Sequence, residues 1–224
     1  MASFLMDLGV KPSCMIGHSL GEYAAMFAAE MISLEDTFKI IKIRAEHSDR
    51  QAEKKTGKMA AVLKLSAAEI QEVIDNSGRG AVIANYNSPT QNVIAGLNDD
   101  VDKLCEELSE TGARVMPIKV SGAFHCGQMS DAAGLFYEQI KDIKFREPTV
   151  PFYSNLTGAR VTDFRETPTR LARHMCLAVR FTEELRNMRA AGIDTFIELG
   201  PGKILSGLVK KTLDDVKIMT LNDF

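Results

Sequence analysis

Apolar and polar positions along the chain follow two periods, one typical of helices and one of strands. The clearest helical period covers 34–54, where Ser33 is placed to cap the first turn and Glu35 and Asp36 follow it. Further helices are predicted at 1–9, 20–29, 130–143, 171–175, 182–191 and 203–212. Short apolar runs predict strands at 14–16, 150–154, 195–199 and 216–221. This alternation predicts an α/β protein with a mostly parallel, doubly wound sheet.

The stretch 57–120 follows a different plan. Its elements are predicted as strand 59–65, helix 66–76, strands 81–85 and 92–95 around a turn at 86–89, helix 101–111 and strand 114–118. Ser66 and Glu69 form a capping box at the start of the first helix. The order β-α-β-β-α-β is typical of a ferredoxin-like unit. We therefore predict that 57–120 is a small inserted domain, and that 1–56 and 121–224 form a larger core.

The composition and net charge of the chain argue against several classes of function. The chain has 224 residues and a net charge of −3, which gives no electrostatic reason to bind nucleic acid or an anionic membrane. No apolar run reaches the roughly 18–20 residues that span a bilayer. The four cysteines form no C-x-x-C pair, so we expect free thiols in a cytoplasmic protein. The four histidines show no ligand spacing, and neither a metal nor a cofactor is predicted.

The sequence Gly17-His18-Ser19-Leu20-Gly21 lies between a predicted strand and a predicted helix. A G-x-S-x-G pattern in this context is typical of a nucleophile elbow, the turn that presents a serine above a sheet in α/β-hydrolase-like cores. We expect both glycines to relieve crowding at this turn. Ser19 would then lie at a helix N-terminus, which favours developing negative charge. The alternative is an ordinary glycine-containing turn of an α/β domain.

A serine nucleophile needs a base, and His125 is the best candidate. It lies in a glycine-bracketed loop, 122–127, where the small domain rejoins the core; the alternative is that it caps the next helix. His18 is next to Ser19 on the elbow and is expected to pack or hydrogen-bond beside the site. His47 is expected to be solvated on a charged helix face, and the role of His174 stays open.

Arg44 is the charged residue of the run 40–45 that can turn inward, whereas Lys42 lies on another face of the helix. A buried arginine needs a carboxylate, and a substrate carboxylate would satisfy its guanidinium with two hydrogen bonds. From the residues alone, an ordinary surface arginine with partners four positions away is the favoured alternative.

These residues are part of a wider resemblance to the malonyl-CoA:acyl carrier protein transacylases. The matching stretches run in order along almost the whole chain: 17–23, Arg44, 59–62, 85–91, 122–125, 150–155, 179–181 and 198–203. The resemblance implies that Ser19 takes a malonyl group from coenzyme A. It then passes that group to the phosphopantetheine thiol of acyl carrier protein, in fatty acid or polyketide synthesis. His125 is implied as the base, and Arg44 as the partner of the malonyl carboxylate.

The resemblance also implies roles for neighbouring residues. The backbone N–H of Leu20 would stabilise the oxyanion, and Phe124 would help limit the acyl group to malonyl. His18 and Asn87 are placed at the substrate. The backbone carbonyl of His174 would orient the base, at a position where the family has glutamine. Cys126 follows the base where serine is more usual.

The resemblance further implies that the family's first ~75–80 residues, with a loop that donates to the oxyanion, are missing, and losing such a donor costs ~10²–10³ in rate. We therefore expect a chain that is poorly soluble, oligomeric or weakly active. Two alternatives stay open: a serine thioesterase or hydrolase, and an incomplete transferase that still binds acyl carrier protein.

Overall fold

The computed structural model describes all residues, 1–224, as a mixed α/β protein. Its helices are α1 Ala2–Asp7, α2 Gly21–Ala28, α3 Leu34–Lys54, α4 Ala67–Ser77, α5 Asn98–Glu110, α6 Ser130–Ile140, α7 Thr167–Cys176, α8 Phe181–Ala190 and α9 Ile204–Thr212. Its strands are β1 Gly57–Leu63, β2 Val82–Ser88, β3 Gln91–Leu97, β4 Arg114–Ile118, β5 Thr195–Glu198 and β6 Lys217–Thr220. Two short 3-10 turns lie at Gly127–Met129 and Leu221–Asp223.

The region 57–118 forms one four-stranded antiparallel sheet in the order β2-β3-β1-β4. Its elements appear in the predicted order, with α4 after β1 and α5 after β3. The predicted capping box is present, because Ser66 accepts from the Glu69 N–H and the Glu69 carboxylate accepts from the Ser66 N–H. Helices α4 and α5 pack on the sheet around an apolar cluster that includes Val62, Ile70 and Ile94.

The predicted turn at 86–89 is shorter than expected. β2 continues to Ser88, so only Pro89 and Thr90 separate it from β3. The strand extends because its outer edge finds partners in another part of the chain: the Tyr86 N–H donates to the Val179 carbonyl at 2.8 Å. This pairing brings β2 and its Asn87 towards the residues before α8.

The predicted mostly parallel, doubly wound sheet is not observed, because parallel pairing outside the antiparallel sheet is limited. β5 and β6 pair in parallel, and the predicted strands at 14–16 and 150–154 are reduced to one parallel bridge between Met15 and Phe152. Pro12 and Pro151 lack an N–H, which limits how far this ladder can run. The bridge nonetheless joins the segment before Ser19 to the segment after α6.

A second core lies among α2, α3, α6 and α7, around the fully buried side chains of Tyr23, Ile40, Phe136 and Phe152. α3 is capped as predicted, since the Asp36 N–H donates to Ser33 Oγ at 3.0 Å. The glycine-bracketed loop 122–127 runs between this helical core and the antiparallel sheet. No helix in the structure combines the length and the apolar character that crossing a membrane requires.

Candidate active site

The turn from 17 to 21 is strained at its centre. Ser19 has φ of 51°, a conformation that L residues rarely adopt. A Cβ at Gly17 would lie 2.1 Å from the backbone carbon of Gly21, so only glycine fits there. The same expectation for Gly21 is wrong: a Cβ on Gly21 would meet nothing within 4 Å, because it already belongs to α2 and points away from the turn.

Ser19 and His125 form a hydrogen-bonded pair, with Oγ 2.7 Å from Nε2. On the other side of the ring, Nδ1 lies 2.8 Å from the carbonyl oxygen of His174. A carbonyl only accepts, so Nδ1 carries the proton and Nε2 is the acceptor for the Ser19 hydroxyl. The His125 N–H also donates to the Met175 carbonyl at 3.2 Å. The last turn of α7 therefore fixes both the ring and the backbone of His125.

The surroundings of His125 favour its neutral form. Burial lowers its pKa well below the usual 6.5, and the nearby His174 ring and Arg44 guanidinium lower it further. The two imidazole rings lie with their centroids 4.7 Å apart and their planes tilted by 34°. At neutral pH the arrangement can thus take a proton from Ser19 and return it later.

His18 lies beside the pair but faces elsewhere. Its Nε2 is 2.7 Å from the amide oxygen of Asn87, which only accepts, so His18 donates in this contact. Its ring meets the edge of Phe181 with centroids 5.2 Å apart, and burial lowers its pKa. The expectation that His18 hydrogen-bonds next to the site is therefore met, with Asn87 as its partner.

Arg44 is half-buried and has no ion pair. Its guanidinium lies 5.7 Å from the ring centroid of Tyr23, and its positive charge lowers the pKa of His125. Lys42, in contrast, is exposed and pairs with Glu46 four residues on. The alternative of an arginine with carboxylate partners on its own helix is wrong, because the residues four positions away, Ile40 and Ser48, carry no charge.

Two further candidates, Leu20 and Phe124, lie next to Ser19 and His125 in the sequence. The backbone N–H of Leu20 donates no hydrogen bond in the structure, so it is available to an incoming oxygen, and the Leu20 side chain is exposed. Phe124 is half-buried and packs against both the helical core and a cluster on the antiparallel sheet. It therefore lies at the junction of the two regions, directly before His125.

Sequence reasoning missed three buried polar residues beneath the turn: Glu22, Asn155 and Glu184. The Asn155 side chain accepts from the Ser19 N–H at 2.6 Å and donates to the two carboxyl oxygens of Glu184 at 2.9 and 3.0 Å. Glu22 accepts from the Asn155 N–H at 3.0 Å. The available signal was Glu22 itself, a charge in a helix otherwise made of small and apolar residues, which must find polar partners when buried.

The two remaining histidines are also buried. His174, whose role was open, uses its backbone on His125, while its ring Nδ1 lies 2.9 Å from the Glu22 carboxylate. The expectation that His47 is solvated is wrong. It is buried where α6 packs on α3, and Gln139 Nε2 lies 2.9 Å from its Nε2.

A cavity of about 490 Å³ opens beside His125. Its lining includes His125, Cys126, Leu156, Arg173 and Arg180. All four cysteines are free, as expected. The structure contains no group of three or more His, Cys, Asp or Glu side chains that could hold a metal ion.

Comparison with known proteins decides the family. Residues 2–222 match the acyl transferase domain. The chain belongs to this family. It is 36% identical over 221 residues to the malonyl CoA-acyl carrier protein transacylase of Bacillus subtilis, covering 97% of this chain and 70% of that protein. The acyl transferase fold is matched by an acyl carrier protein S-malonyltransferase of Vibrio cholerae at a TM-score of 0.93 and 32% identity, covering 98% of this chain and 73% of that one.

A second solved relative of this acyl transferase is a malonyl-transacylase in complex with its type II PKS acyl-carrier protein. It matches with a TM-score of 0.94 and 28% identity, and the match covers all of this chain and 74% of that one. The chain therefore spans about 70–74% of the length of these relatives. The whole of the described structure, including the Ser19–His125 pair, lies within the shared part.

Proposed function

We propose that this acyl transferase moves a malonyl group from coenzyme A to the phosphopantetheine thiol of acyl carrier protein. The observation that carries the proposal is the line Ser19 Oγ, His125 ring, His174 carbonyl, with contacts of 2.7 and 2.8 Å. That line prepares a serine for attack on a thioester. Membership of the family and likeness to malonyl transacylases support the choice of substrates.

In the first half-reaction, Ser19 Oγ attacks the thioester carbonyl while His125 Nε2 takes the hydroxyl proton. The tetrahedral intermediate collapses, the carbon–sulfur bond breaks, and His125 returns the proton to the leaving sulfur of coenzyme A. Malonyl remains on Ser19 as an ester. In the second half-reaction, His125 removes a proton from the carrier thiol, and the sulfur attacks the ester carbonyl. The bond between the malonyl carbonyl carbon and Ser19 Oγ then breaks, and His125 returns the proton to Oγ, which regenerates the Ser19 hydroxyl.

The oxyanion that forms in each step faces the elbow. The free N–H of Leu20 is the donor we assign to it, since the neighbouring N–H of Ser19 is already donated to Asn155. A base held neutral by burial fits the chemistry, because only unprotonated His125 can accept the serine proton.

Arg44 is the residue we assign to the malonyl carboxylate. It is half-buried, and it lies near enough to His125 for its charge to lower the pKa of that residue. It has no carboxylate partner of its own. A guanidinium in that setting binds a carboxylate with two charge-assisted hydrogen bonds, and an acyl group without one leaves it unpaired. Phe124 would bound the acyl pocket next to the base, and His18 with Asn87 would border the substrate.

We also propose the finer architecture. The antiparallel order β2-β3-β1-β4 with two helices supports a ferredoxin-like small domain at 57–120. The strained turn before α2 supports an α/β-hydrolase-like core formed by 1–56 and 121–224. Four free cysteines support a cytoplasmic location.

Incubation with malonyl-CoA followed by peptide mass spectrometry tests the proposal. We expect a malonyl adduct on Ser19, lost in Ser19→Ala and kept in Ser206→Ala, whose hydroxyl has no hydrogen-bond partner. Added pantetheine should then remove the adduct faster than water does. An adduct that persists in Ser19→Ala contradicts the assignment, and preferential release to water indicates a thioesterase.

A further inference from the structure

The side chain of Asn155 is buried directly beneath the strained turn, with no exposed surface. Both of its amide hydrogens and its oxygen are used: Oδ1 accepts from the Ser19 N–H, and Nδ2 donates to the Gly17 carbonyl and to Glu184. It therefore binds the turn on both sides of His18. The partners lie 136 and 138 residues away in the sequence.

The orientation of this amide is fixed by its neighbours. Rotating it by half a turn would place the NH₂ against the Ser19 N–H and the oxygen against the Gly17 carbonyl and the Glu184 carboxylate. The contact with the Ser19 N–H would then join two donors, and the contact with the Gly17 carbonyl would join two acceptors. The amide can satisfy all its partners in one orientation only.

The backbone of Asn155 is held as firmly. Its N–H donates to Glu22 at 3.0 Å and its carbonyl accepts from the Arg180 N–H at 2.8 Å. Glu22 belongs to α2 and Glu184 to α8, so two helices position the asparagine. The residue is thus a link between fixed elements and the turn that carries the nucleophile.

The turn needs such a link. Ser19 holds φ of 51°, which persists only where the surroundings impose it. Its Oγ must stay within 2.7 Å of His125, which is itself fixed by α7. The Ser19 N–H has no other acceptor in the structure.

We propose that Asn155 is a positioning residue for the nucleophile: it holds the peptide of Ser19 so that Oγ meets His125 and the N–H of Leu20 faces the substrate oxygen. It acts through the turn and touches no reacting atom. The proposal rests on the assigned role of Ser19 as the nucleophile. It adds two supports for that residue: the segment 154–158, which contains Asn155, and α8, which contains Glu184.

A fluorophosphonate probe tests this without malonyl chemistry. Ser19 Oγ attacks phosphorus, the P–F bond breaks, fluoride leaves and His125 takes the proton, so the labelling rate reports the geometry of the pair. Because a misplacement of about 1 Å costs about 10²-fold, we expect Asn155→Ala to slow labelling by about that factor. The saturating rate of malonyl acylation should fall in parallel, while the KM for malonyl-CoA stays near the wild-type value.

The matched control is Asn92→Ala. Asn92 is also buried, but it lies on β3 and donates to the Leu65 carbonyl at 3.5 Å, far along the chain from the turn. It should lower the melting temperature and leave the labelling rate of the folded protein unchanged. If Asn155→Ala does not fold, Asn155→Asp decides: it keeps the acceptor for Ser19 but loses both donors, so a smaller loss is expected.

Labelling at the wild-type rate in folded Asn155→Ala or Asn155→Asp overturns the proposal. Equal slowing in Asn92→Ala overturns it too, because the effect would then come from general loosening. Failure of the proposed function looks different: the wild-type chain would react with the fluorophosphonate at Ser19 but transfer no malonyl.

Discussion

The four-stranded sheet takes all its elements from 57–118, whereas Ser19 is held by side chains 106 and 136 residues away. The sheet and its two helices are stabilised by an apolar cluster with local caps. The turn at Ser19 rests on buried polar groups from α2, α7, α8 and the segment at 155. Apolar packing tolerates small shifts, but hydrogen bonds depend on direction, so the two regions should respond differently to substitution.

The largest effect should come from removing the proposed base, His125. His125→Ala deletes the acceptor of the serine proton, and such a base contributes about 10²–10⁴-fold to a rate. The single-turnover rate of Ser19 acylation, measured by intact mass, should fall by that factor. The control is His47→Ala, another buried histidine, which should lower the melting temperature but keep the rate of the folded protein. Equal losses in both variants would contradict the assignment.

The opposite behaviour is expected in the sheet. Ile94→Ala removes a fully buried side chain from β3, which typically costs about 2–5 kcal/mol of unfolding free energy. Denaturant unfolding should show this loss, while acylation of the folded protein stays close to wild type. Val82→Ala, at a position 41% exposed on the neighbouring strand, should cost much less. If Ile94→Ala slowed acylation of folded protein tenfold, the two regions would not be separable.

Arg44→Ala should change substrate choice more than stability. Without the guanidinium, malonyl transfer should fall by about tenfold or more while acetyl transfer is kept, because a bound carboxylate loses its charge-assisted contacts. The pKa of His125 should also rise, since a nearby positive charge is removed. Lys42→Ala on the same helix is the control and should change neither. Parallel loss of malonyl and acetyl transfer would make Arg44 a structural residue.

The smallest effect is expected from Glu184, one of the buried polar residues beneath the turn at Ser19, and it concerns the pH dependence of stability. Burial, together with the nearby Glu22 carboxylate, raises the pKa of Glu184 well above its ordinary 4.5. The unfolded state therefore releases this proton first as pH rises, and the stability that neutral Glu184 contributes is lost above pH 4.5. Glu184→Gln does not titrate, so its melting temperature should gain on wild type as pH rises from 4.5 towards neutrality. A difference that is independent of pH would contradict this.

The sequence predicted the sheet region well because its signals are local. The capping box at Ser66 and the short apolar stretch that predicts a strand at 92–95 need no distant information. At the site, the G-x-S-x-G pattern located Ser19, and the glycine-bracketed loop located His125. Assignment of Arg44 required the family resemblance, since the residues alone favoured a surface arginine.

The remaining features depend on tertiary contacts. α7 begins at Thr167, four residues before the prediction, because Pro168 lies in its first turn, where proline is favourable. His47 looked solvated until α6 covered it. Asn155 has no distinctive spacing from Ser19, and only the fold shows that the two meet.

The pH dependence of wild-type Ser19 acylation tests the central claim most directly, since the claim is that a buried, neutral His125 takes the serine proton. The rate should increase with pH only in the range where His125 loses its proton, and the pKa of His125 lies well below 6.5. Acylation by malonyl-CoA should therefore be as fast at pH 6.5 as at about pH 7.5. A rate that has fallen to half or less at pH 6.5, or an acylated residue other than Ser19, would contradict the account.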